Sequence, residues 1–120
     1  MIAVFDTNIV IDALNGSPSA DAEYDRYERV LVSRITWMEV LAGAQGDDSQ
    51  LRDFLETLFA VIPLDLAVAE TAVQLRRRYH VRLPDAIIWA TAKTQNAVLV
   101  SRNTKDFKEE WGGIRVPYNV

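Results

Sequence analysis

Short apolar runs alternate along this chain with segments in which apolar residues recur every three or four positions. The runs are rich in β-branched residues, a composition typical of buried strands. They predict strands at residues 2–5, 30–32, 61–63, 98–100 and 114–116.

The segments between these runs have the spacing of helices with one buried face. In the first of them, Ile9, Val10, Ala13 and Leu14 share a face. Helices are predicted at residues 7–14, 20–29, 36–44 and 85–94. Two more helices are predicted to begin at caps: one runs from a cap at 47–49 to about 59, and the other from a cap at Asp65 to about 79. A short helical turn is predicted within 105–111.

Strands that alternate with helices predict an α/β fold, with a mostly parallel sheet of four to five short strands covered by helices on both faces. In such sheets, ligands bind beyond the carboxyl ends of the strands. Asp6 follows the first strand, and residues 101–103 follow the strand at 98–100. Glu39 and Asp85 lie near helix N-termini, and these helices begin at the same edge of the sheet. The order of elements therefore predicts one oxygen-lined cleft.

The composition is that of a single globular domain spanning residues 1–120, with 49% hydrophobic and 25% charged residues. There is no cysteine, which excludes disulfides and thiolate metal sites. The first apolar run is interrupted by Asp6 and is too short for a signal peptide, and no stretch reaches the ~20 apolar residues of a membrane span. These features predict a cytoplasmic protein without a membrane partner.

Charge is unevenly distributed along the chain. Residues 1–60 carry 4 basic and 11 acidic side chains, whereas residues 61–120 carry 9 basic and 6 acidic ones, and the net charge is −4. An acidic pocket beside a basic rim suits the binding of a metal and a polyanion together. For the three arginines at 76–78, the alternative is the solvated end of a helix, where cations suit the dipole.

Asp6 and Glu39 each have a structural alternative to a role in the cleft. Asp6 suits two roles equally well: the N-cap of the helix that follows it, and a ligand in the cleft. Its position directly after four apolar residues adds weight to the ligand role, because burial of a carboxylate there is costly unless a cation compensates its charge. Thr36 and Glu39 have the spacing of a capping box, in which the glutamate reaches back to the first amide of the helix, and Ser33 is a second candidate cap. A helix N-terminus at this edge also faces the cleft, so the two roles of Glu39 are compatible.

The other two candidate positions are also weighed against local roles. Asp85 follows a proline at a helix start, where acids suit the dipole, but its apolar neighbours indicate burial, and a buried acid without a basic partner is typical of a functional site. Asn103 and Asp106 are ordinary turn residues, and for Asp106 the turn interpretation is favoured. Ser101 and Asn103 directly follow a buried strand and are predicted to reach the cleft.

Other catalytic chemistries find little support in the sequence. His80 is the only histidine, and with no cysteine a zinc site is not expected. There is no nucleophile-elbow serine and no glycine loop for phosphate. Carboxylate and amide oxygens remain, and these ligands suit Mg²⁺ or Mn²⁺.

Four ordered motifs resemble those of PIN-domain ribonucleases, in particular the VapC-type toxins of type II toxin–antitoxin systems. The motifs are Asp6-Thr7-Asn8, Ser33-x-x-Thr36-x-x-Glu39, Leu83-Pro84-Asp85-Ala86-Ile87-Ile88 and Ser101-Arg102-Asn103-x-x-Asp106-Phe107. Each motif is weak alone, but the ordered set covers essentially the whole chain. The resemblance implies a three-layer α/β/α fold with a central, mostly parallel sheet.

The resemblance also implies roles for individual residues. Asp6, Glu39 and Asp85 match the three main acids, which hold Mg²⁺ or Mn²⁺, and Asn103 matches a fourth catalytic position that is often Asp. An Asn there puts a second, tightly held metal in doubt. The matching supporting polar residues are Thr7, Asn8 and Ser101. The candidates for contacts with RNA phosphates are Arg76, Arg77, Arg78, Arg82, Arg102 and Lys105.

The function that the resemblance implies is hydrolysis of RNA phosphodiester bonds by a metal-dependent endoribonuclease. The implied partners are an RNA substrate, a small antitoxin protein whose C-terminal segment occludes the acidic cleft, and a second copy of the chain in a homodimer. Trp37, Leu51 and Phe54 are candidates for the dimer contact, with core packing as the alternative, and for Phe54 the core is favoured.

Three competing interpretations are weaker. A haloacid-dehalogenase-type phosphatase needs a second Asp where this chain has Asn8, and a lysine before the last acid pair that is not found. A phospho-receiver domain needs an acidic pair after the first strand, and Asp6 has no such neighbour. A PIN-like domain that binds RNA or protein without cutting is the remaining alternative, with Asn103 as a sign of decay and the three intact acids against it.

Overall fold

The computed structural model describes residues 1–119, so Val120, the last residue of the predicted domain, lies outside the described residues. Strands and helices alternate along the chain. The strands are β1 Ile2–Phe5, β2 Arg29–Ser33, β3 Ala60–Ile62, β4 Val98–Val100 and β5 Ile114–Arg115. The helices are α1 Thr7–Leu14, α2 Pro18–Tyr24, α3 Arg34–Ala42, α4 Ser49–Leu58, α5 Leu66–Tyr79 and α6 Leu83–Thr94, with a 3₁₀ turn at Glu109–Trp111.

The strands form one sheet in the order β3-β2-β1-β4-β5, and every pairing is parallel. β1 is central because Val4 pairs with Leu31 of β2 on one side and with Leu99 of β4 on the other. β2 and β3 are added in turn on one side of β1, whereas β4 and β5 are added on its other side, so the direction in which strands are added reverses between β1 and β4. Open α/β sheets bind ligands outside the carboxyl ends of their strands at such a reversal. The predicted parallel α/β architecture is confirmed, and the place where a ligand is expected is the end of β1.

The sheet is covered on both faces because its strand residues point alternately to opposite sides. Val4 packs with Leu31 and Leu99 in the core beneath α5 and α6. Ala3 and Phe5 join the opposite core, beneath α1 and α4. These two cores give the three layers that the sequence predicts. Within residues 1–119, none of the helices has the length and apolar character needed to cross a membrane.

Trp37, Leu51 and Phe54 are all partly buried against the core beneath α1 and α4. Core packing therefore accounts for these three side chains. For Phe54, core packing is also the role that the sequence favours. A homodimer contact through them stays a prediction.

The second helix differs from its prediction at both ends. The sequence predicts a helix over residues 20–29, but α2 covers Pro18–Tyr24. The hydroxyl of Ser17 caps it by accepting a backbone N–H of the first turn at 3.3 Å, and proline suits this first turn. Beyond α2 the backbone N–H of Glu28 donates to the carbonyl of Met1 at 3.1 Å, so the chain is already beside β1 and cannot continue the helix. The polar residues here carry no periodic signal of that tertiary contact.

Candidate active site at the carboxyl edge of the sheet

Asp6 is the first residue beyond β1, and its backbone N–H continues the sheet by donating to the carbonyl of Val100 at 2.9 Å. Its side chain is buried, with 5% of the residue exposed. Oδ1 accepts from the backbone N–H of Thr7 at 2.8 Å, and Oδ2 accepts from the hydroxyl of Ser101 at 2.7 Å and from the amide of Asn8 at 3.2 Å. Asp6 therefore caps α1, as its structural interpretation predicts, and its role as a metal ligand stays a prediction.

Burial raises the pKa of Asp6 above its ordinary value, and the nearby negative charge of Glu39 adds to this effect. The hydrogen bonds from Ser101, Thr7 and Asn8 favour the ionised form and oppose the rise. Three hydrogen bonds fix the position of the Asp6 carboxylate, but none of its partners is a basic side chain, so its negative charge is not neutralised. This is the environment that a cation would stabilise.

Glu39 reaches the site through Thr7. The hydroxyl of Thr7 donates to Oε1 of Glu39 at 2.6 Å and lies 3.0 Å from the hydroxyl of Thr36. The predicted capping box of Thr36 and Glu39 is wrong: Ser33 is the N-cap of α3, and its hydroxyl accepts from the N–H of Ile35 at 3.1 Å. Because α3 begins at Arg34, two residues before Thr36, Glu39 lies too far along the helix to return to its first amide. Its carboxylate accepts from Thr7 of α1 instead.

Asp85 lies in the first turn of α6, just after Pro84, and only 9% of the residue is exposed. Burial raises the pKa of Asp85 to about 6, and the negative charges of Asp6 and Asp106 contribute to the rise. The guanidinium of Arg82 opposes it, with Nε and Nη2 each 3.5 Å from Oδ2 of Asp85. The predicted burial of Asp85 is thus confirmed, whereas the prediction of no basic partner is wrong, because Arg82 reaches back over the helix start.

The loop after β4 brings polar groups to the same edge. The hydroxyl of Ser101, which donates to Asp6, accepts from the backbone N–H of Asn103 at 3.0 Å. The side-chain amide of Asn103 donates to Oδ2 of Asp106 at 2.8 Å, and its carbonyl oxygen accepts from the N–H of Asp106 at 3.3 Å. Asn103 is thus hydrogen-bonded to Asp106 within this turn.

Asp106 has an effect on Asp85 that the sequence did not predict. Its turn role is present, but its carboxylate also acts on the charge of Asp85. The signal in the sequence was an acid three residues after Asn103. Asn103 itself is an amide at a position where the resemblance leads one to expect an Asp. That spacing is common in turns, and only the path of the loop shows which acid it approaches.

Asn8 joins α1 to this loop. Its amide lies 3.4 Å from the hydroxyl of Ser101 as well as 3.2 Å from Asp6, and its carbonyl oxygen accepts from the backbone N–H of Arg102 at 3.3 Å. The three predicted supporting residues, Thr7, Asn8 and Ser101, therefore all contact one of the predicted acids.

The six basic candidates for RNA contacts occupy different environments. Arg76 donates to the carbonyls of His80 and Val81 at 3.1 and 3.0 Å, and so completes the end of α5. Arg102 forms two hydrogen bonds with Asp12, at 2.8 and 3.1 Å.

Of the remaining four, Arg82 places its guanidinium against Asp85 and Asp106. Arg78 lies over the ring of Tyr79, with 5.3 Å between its guanidinium carbon and the ring centroid. Arg77 and Lys105 are exposed. Arg82 is therefore in contact with one of the predicted acids, Asp85, whereas Arg76 and Arg102 are engaged elsewhere.

The donor set suits a hard divalent cation in its chemistry, because it consists of carboxylate oxygens. Beyond the effect of burial, the charge of Glu39 raises the pKa of Asp6, and the charge of Asp6 raises the pKa of Asp85. The side chains do not form a ready-made ligand cage. Within residues 1–119, no group of three or more His, Cys, Asp or Glu side chains lies close enough together to hold a metal ion. Binding by Asp6, Glu39 and Asp85 together would therefore need side-chain movement.

Comparisons with known proteins agree with the geometry. The family model of the PIN domain matches residues 3–109. A toxin–antitoxin complex from Klebsiella pneumoniae contains a chain that is 37% identical, with a TM-score of 0.83 and coverage of 98% of this chain and 99% of that one. The FitAcB structure from Neisseria gonorrhoeae is 26% identical, with a TM-score of 0.78 and full coverage of both chains. The protein named ribonuclease VapC of Rickettsia bellii (strain RML369-C) is 26% identical over 118 residues, which is 88% of this chain and 87% of that protein.

Proposed function

The chain belongs to the PIN domain family, and on that premise we propose that it is an endoribonuclease dependent on Mg²⁺ or Mn²⁺ and the toxin of a toxin–antitoxin pair. The observation that supports this most directly is the buried carboxylate of Asp6, held by three donors at the end of the central strand and close enough to Asp85 to act on its pKa. The VapC relative is named as a ribonuclease, and the Klebsiella relative is part of a toxin–antitoxin complex.

Asp6 and Asp85 would hold the metal, with Glu39 as a third ligand directly or through water. When bound, the ion supplies positive charge to the scissile phosphate and lowers the pKa of a bound water. Thr7 fixes the carboxylate of Glu39, so that this group is positioned to orient the attacking water. Ser101 and Asn8 fix Asp6 in the same way.

The proposal extends to partners and setting. An antitoxin would cover the acidic cleft, where uncompensated carboxylates suit a basic side chain of the partner. The active unit would be a homodimer that acts on RNA in the cytoplasm. RNA would be bound by the predicted basic residues whose charges remain exposed, and its affinity should fall steeply as salt rises.

Substitution of the two acids tests the proposed chemistry. We expect Asp6→Asn and Asp85→Asn to abolish RNA cleavage with folding retained, because each removes a ligand charge while keeping the shape of the side chain. Cleavage of RNA is followed after treatment with EDTA and after Mg²⁺ or Mn²⁺ is added back, and circular dichroism verifies the fold. Asp53→Asn, an exposed acid on α4, is the matched control.

Cleavage at the wild-type rate by either variant after metal is restored would refute this mechanism. A non-catalytic PIN-like domain that binds RNA or protein is a second candidate, favoured by the amide at Asn103 and by the lack of a preformed metal cage within residues 1–119. Calorimetric titration with Mn²⁺ separates the two candidates. A nuclease should bind the ion and lose that binding in Asp6→Asn.

A further inference from the structure

Arg82 sits where α6 begins, and two carboxylates from different elements face its guanidinium. It is the N-cap residue of α6, yet its side chain makes no capping hydrogen bond. Nη2 lies 3.5 Å from Oδ2 of Asp85 and 3.5 Å from Oδ2 of Asp106. The two carboxylate oxygens are therefore no farther apart than twice that distance, with a positive charge between them.

These contacts are longer than the shortest contacts of Arg52, Arg102 and Arg115 with their carboxylate partners, which are 2.9, 2.8 and 2.8 Å. Arg102 holds Asp12 at 2.8 and 3.1 Å, with 32% of its side chain exposed. Arg82 lies at the outer limit of hydrogen-bond distance, and 76% of its side chain is exposed. An exposed ion pair of this kind contributes little to stability, so it separates at small free-energy cost. Arg82 offsets part of the charge of the two acids without being fixed to them.

We propose that Arg82 is the resident counter-cation of the cleft, which a divalent metal ion displaces from Asp85 and Asp106 and which then binds a phosphate of the RNA beside that metal. This inference rests on the proposed function. It adds that binding of the metal favours binding of the RNA, because both depend on the position of the Arg82 side chain. A guanidinium suits the second role because its planar donors match phosphate oxygens. The length and exposure of the Arg82 side chain allow it to turn from the acids to the rim without any change in the backbone.

The first test is the affinity for Mn²⁺, measured by isothermal titration calorimetry on the full chain without RNA. Arg82→Gln keeps much of the length of the side chain and removes its charge, so Mn²⁺ no longer competes with a cation. We expect the Kd for Mn²⁺ to fall about two- to fivefold, the size typical of an exposed ion pair. Arg29→Gln is the matched control, because it removes the same charge from an exposed residue at the start of β2, the opposite edge of the sheet.

The second test is RNA recognition with and without metal, using a short fluorescein-labelled single-stranded RNA. With saturating Mn²⁺ we expect KM for this RNA to rise about tenfold in Arg82→Gln, more than kcat falls, because a charge-assisted contact to phosphate is lost. In EDTA, fluorescence anisotropy should show a smaller loss of RNA affinity in Arg82→Gln, because the acids then compete with phosphate for Arg82.

The outcomes separate this inference from the function on which it rests. If Asp6→Asn loses Mn²⁺ binding while Arg82→Gln binds Mn²⁺ with unchanged or weaker affinity, the nuclease proposal stands and the counter-cation role is refuted. An unchanged KM in Arg82→Gln, or an equal loss of RNA affinity in EDTA, refutes the exchange between acids and phosphate. If Asp6→Asn binds Mn²⁺ as the wild type does, the metal site itself is misplaced and the proposed function fails.

Discussion

The carboxyl group of Asp85 is buried in the first turn of α6 and close to the negative charges of Asp6 and Asp106. Each of these neighbours makes ionisation of Asp85 less favourable in the folded protein than in the unfolded chain. Arg82 offsets only part of this effect, because its contact is long and exposed to solvent. The residue is therefore retained at a cost to stability, as is common for acids at functional sites.

We expect Asp85→Asn to stabilise the metal-free protein at pH 8. The pKa of Asp85 rises from 3.8 in the unfolded chain to about 6 in the folded protein. A raised pKa means that the wild type is most favoured below pH 3.8 and loses that contribution as pH rises through about 6. The variant lacks this loss, so its gain in free energy of unfolding should approach about 3 kcal/mol well above pH 6.

Urea denaturation in EDTA at pH 8, 6 and 4 measures this gain, which should shrink steadily toward pH 4. A gain that is equal at all three pH values would show that the variant acts through packing and not through ionisation.

Among the elements, α3 shows how a helix start sets the direction of a functional side chain. Ser33 ends β2 and caps α3, so the strand passes into the helix without an intervening loop. Glu39 then lies far enough along α3 to meet Thr7 of α1. A helix that began at Thr36 would place Glu39 in its first turn and turn it back on its own backbone.

Ser33→Ala should lower the free energy of unfolding by about 1 kcal/mol, because it removes the acceptor for the N–H of Ile35. Chemical denaturation followed by circular dichroism gives the value. Ser19→Ala is the control, since that exposed hydroxyl lies within α2 and does not cap it. Equal losses in the two variants would count against Ser33 as the cap of α3.

At the scale of the whole molecule, the last strand is joined to the second helix by an ion pair whose carboxylate is buried. Glu23 of α2, only 4% exposed, accepts from Nε and Nη2 of Arg115 at 2.8 and 3.1 Å and also from the hydroxyl of Tyr27 at 2.6 Å. These hydrogen bonds connect β5 with α2 across most of the chain length. They are shorter than those of Arg82, and the carboxylate is buried although 36% of the Arg115 side chain is exposed.

We expect Glu23→Gln to lower the free energy of unfolding by about 2 kcal/mol, because Arg115 would keep its charge without a charged partner. The double variant Glu23→Gln with Arg115→Gln should recover part of this loss, and a double-mutant cycle in urea measures the coupling. Glu28→Gln, which removes an exposed ion pair with the N-terminus, is the comparison and should change stability little. No coupling between Glu23 and Arg115 would contradict this account.

Most strand and helix positions were predictable because their signals are local. Val98–Val100 is a β-branched run between turn residues, and the interval from Leu66 to Tyr79 carries a helical pattern after the cap at Asp65. The end of α2 was not predictable, because it depends on the pairing of Glu28 with Met1, and a contact between positions so far apart leaves no mark on local periodicity.

The sequence by itself determined the alternation of strands and helices, which was enough to predict a parallel sheet. It also determined that acids lie at the ends of apolar segments, which was enough to predict an oxygen-lined edge of that sheet. Periodicity and capping chemistry act over a few residues, so they are readable in the chain. Only the tertiary structure decided that Thr7 holds Glu39, that Asp106 acts on Asp85, and that Arg82 lies between two acids while Arg102 is engaged with Asp12. Those pairings depend on which side chains the strand order and the loop paths bring within a few ångströms, and Coulomb interactions act on that distance and not on separation along the chain.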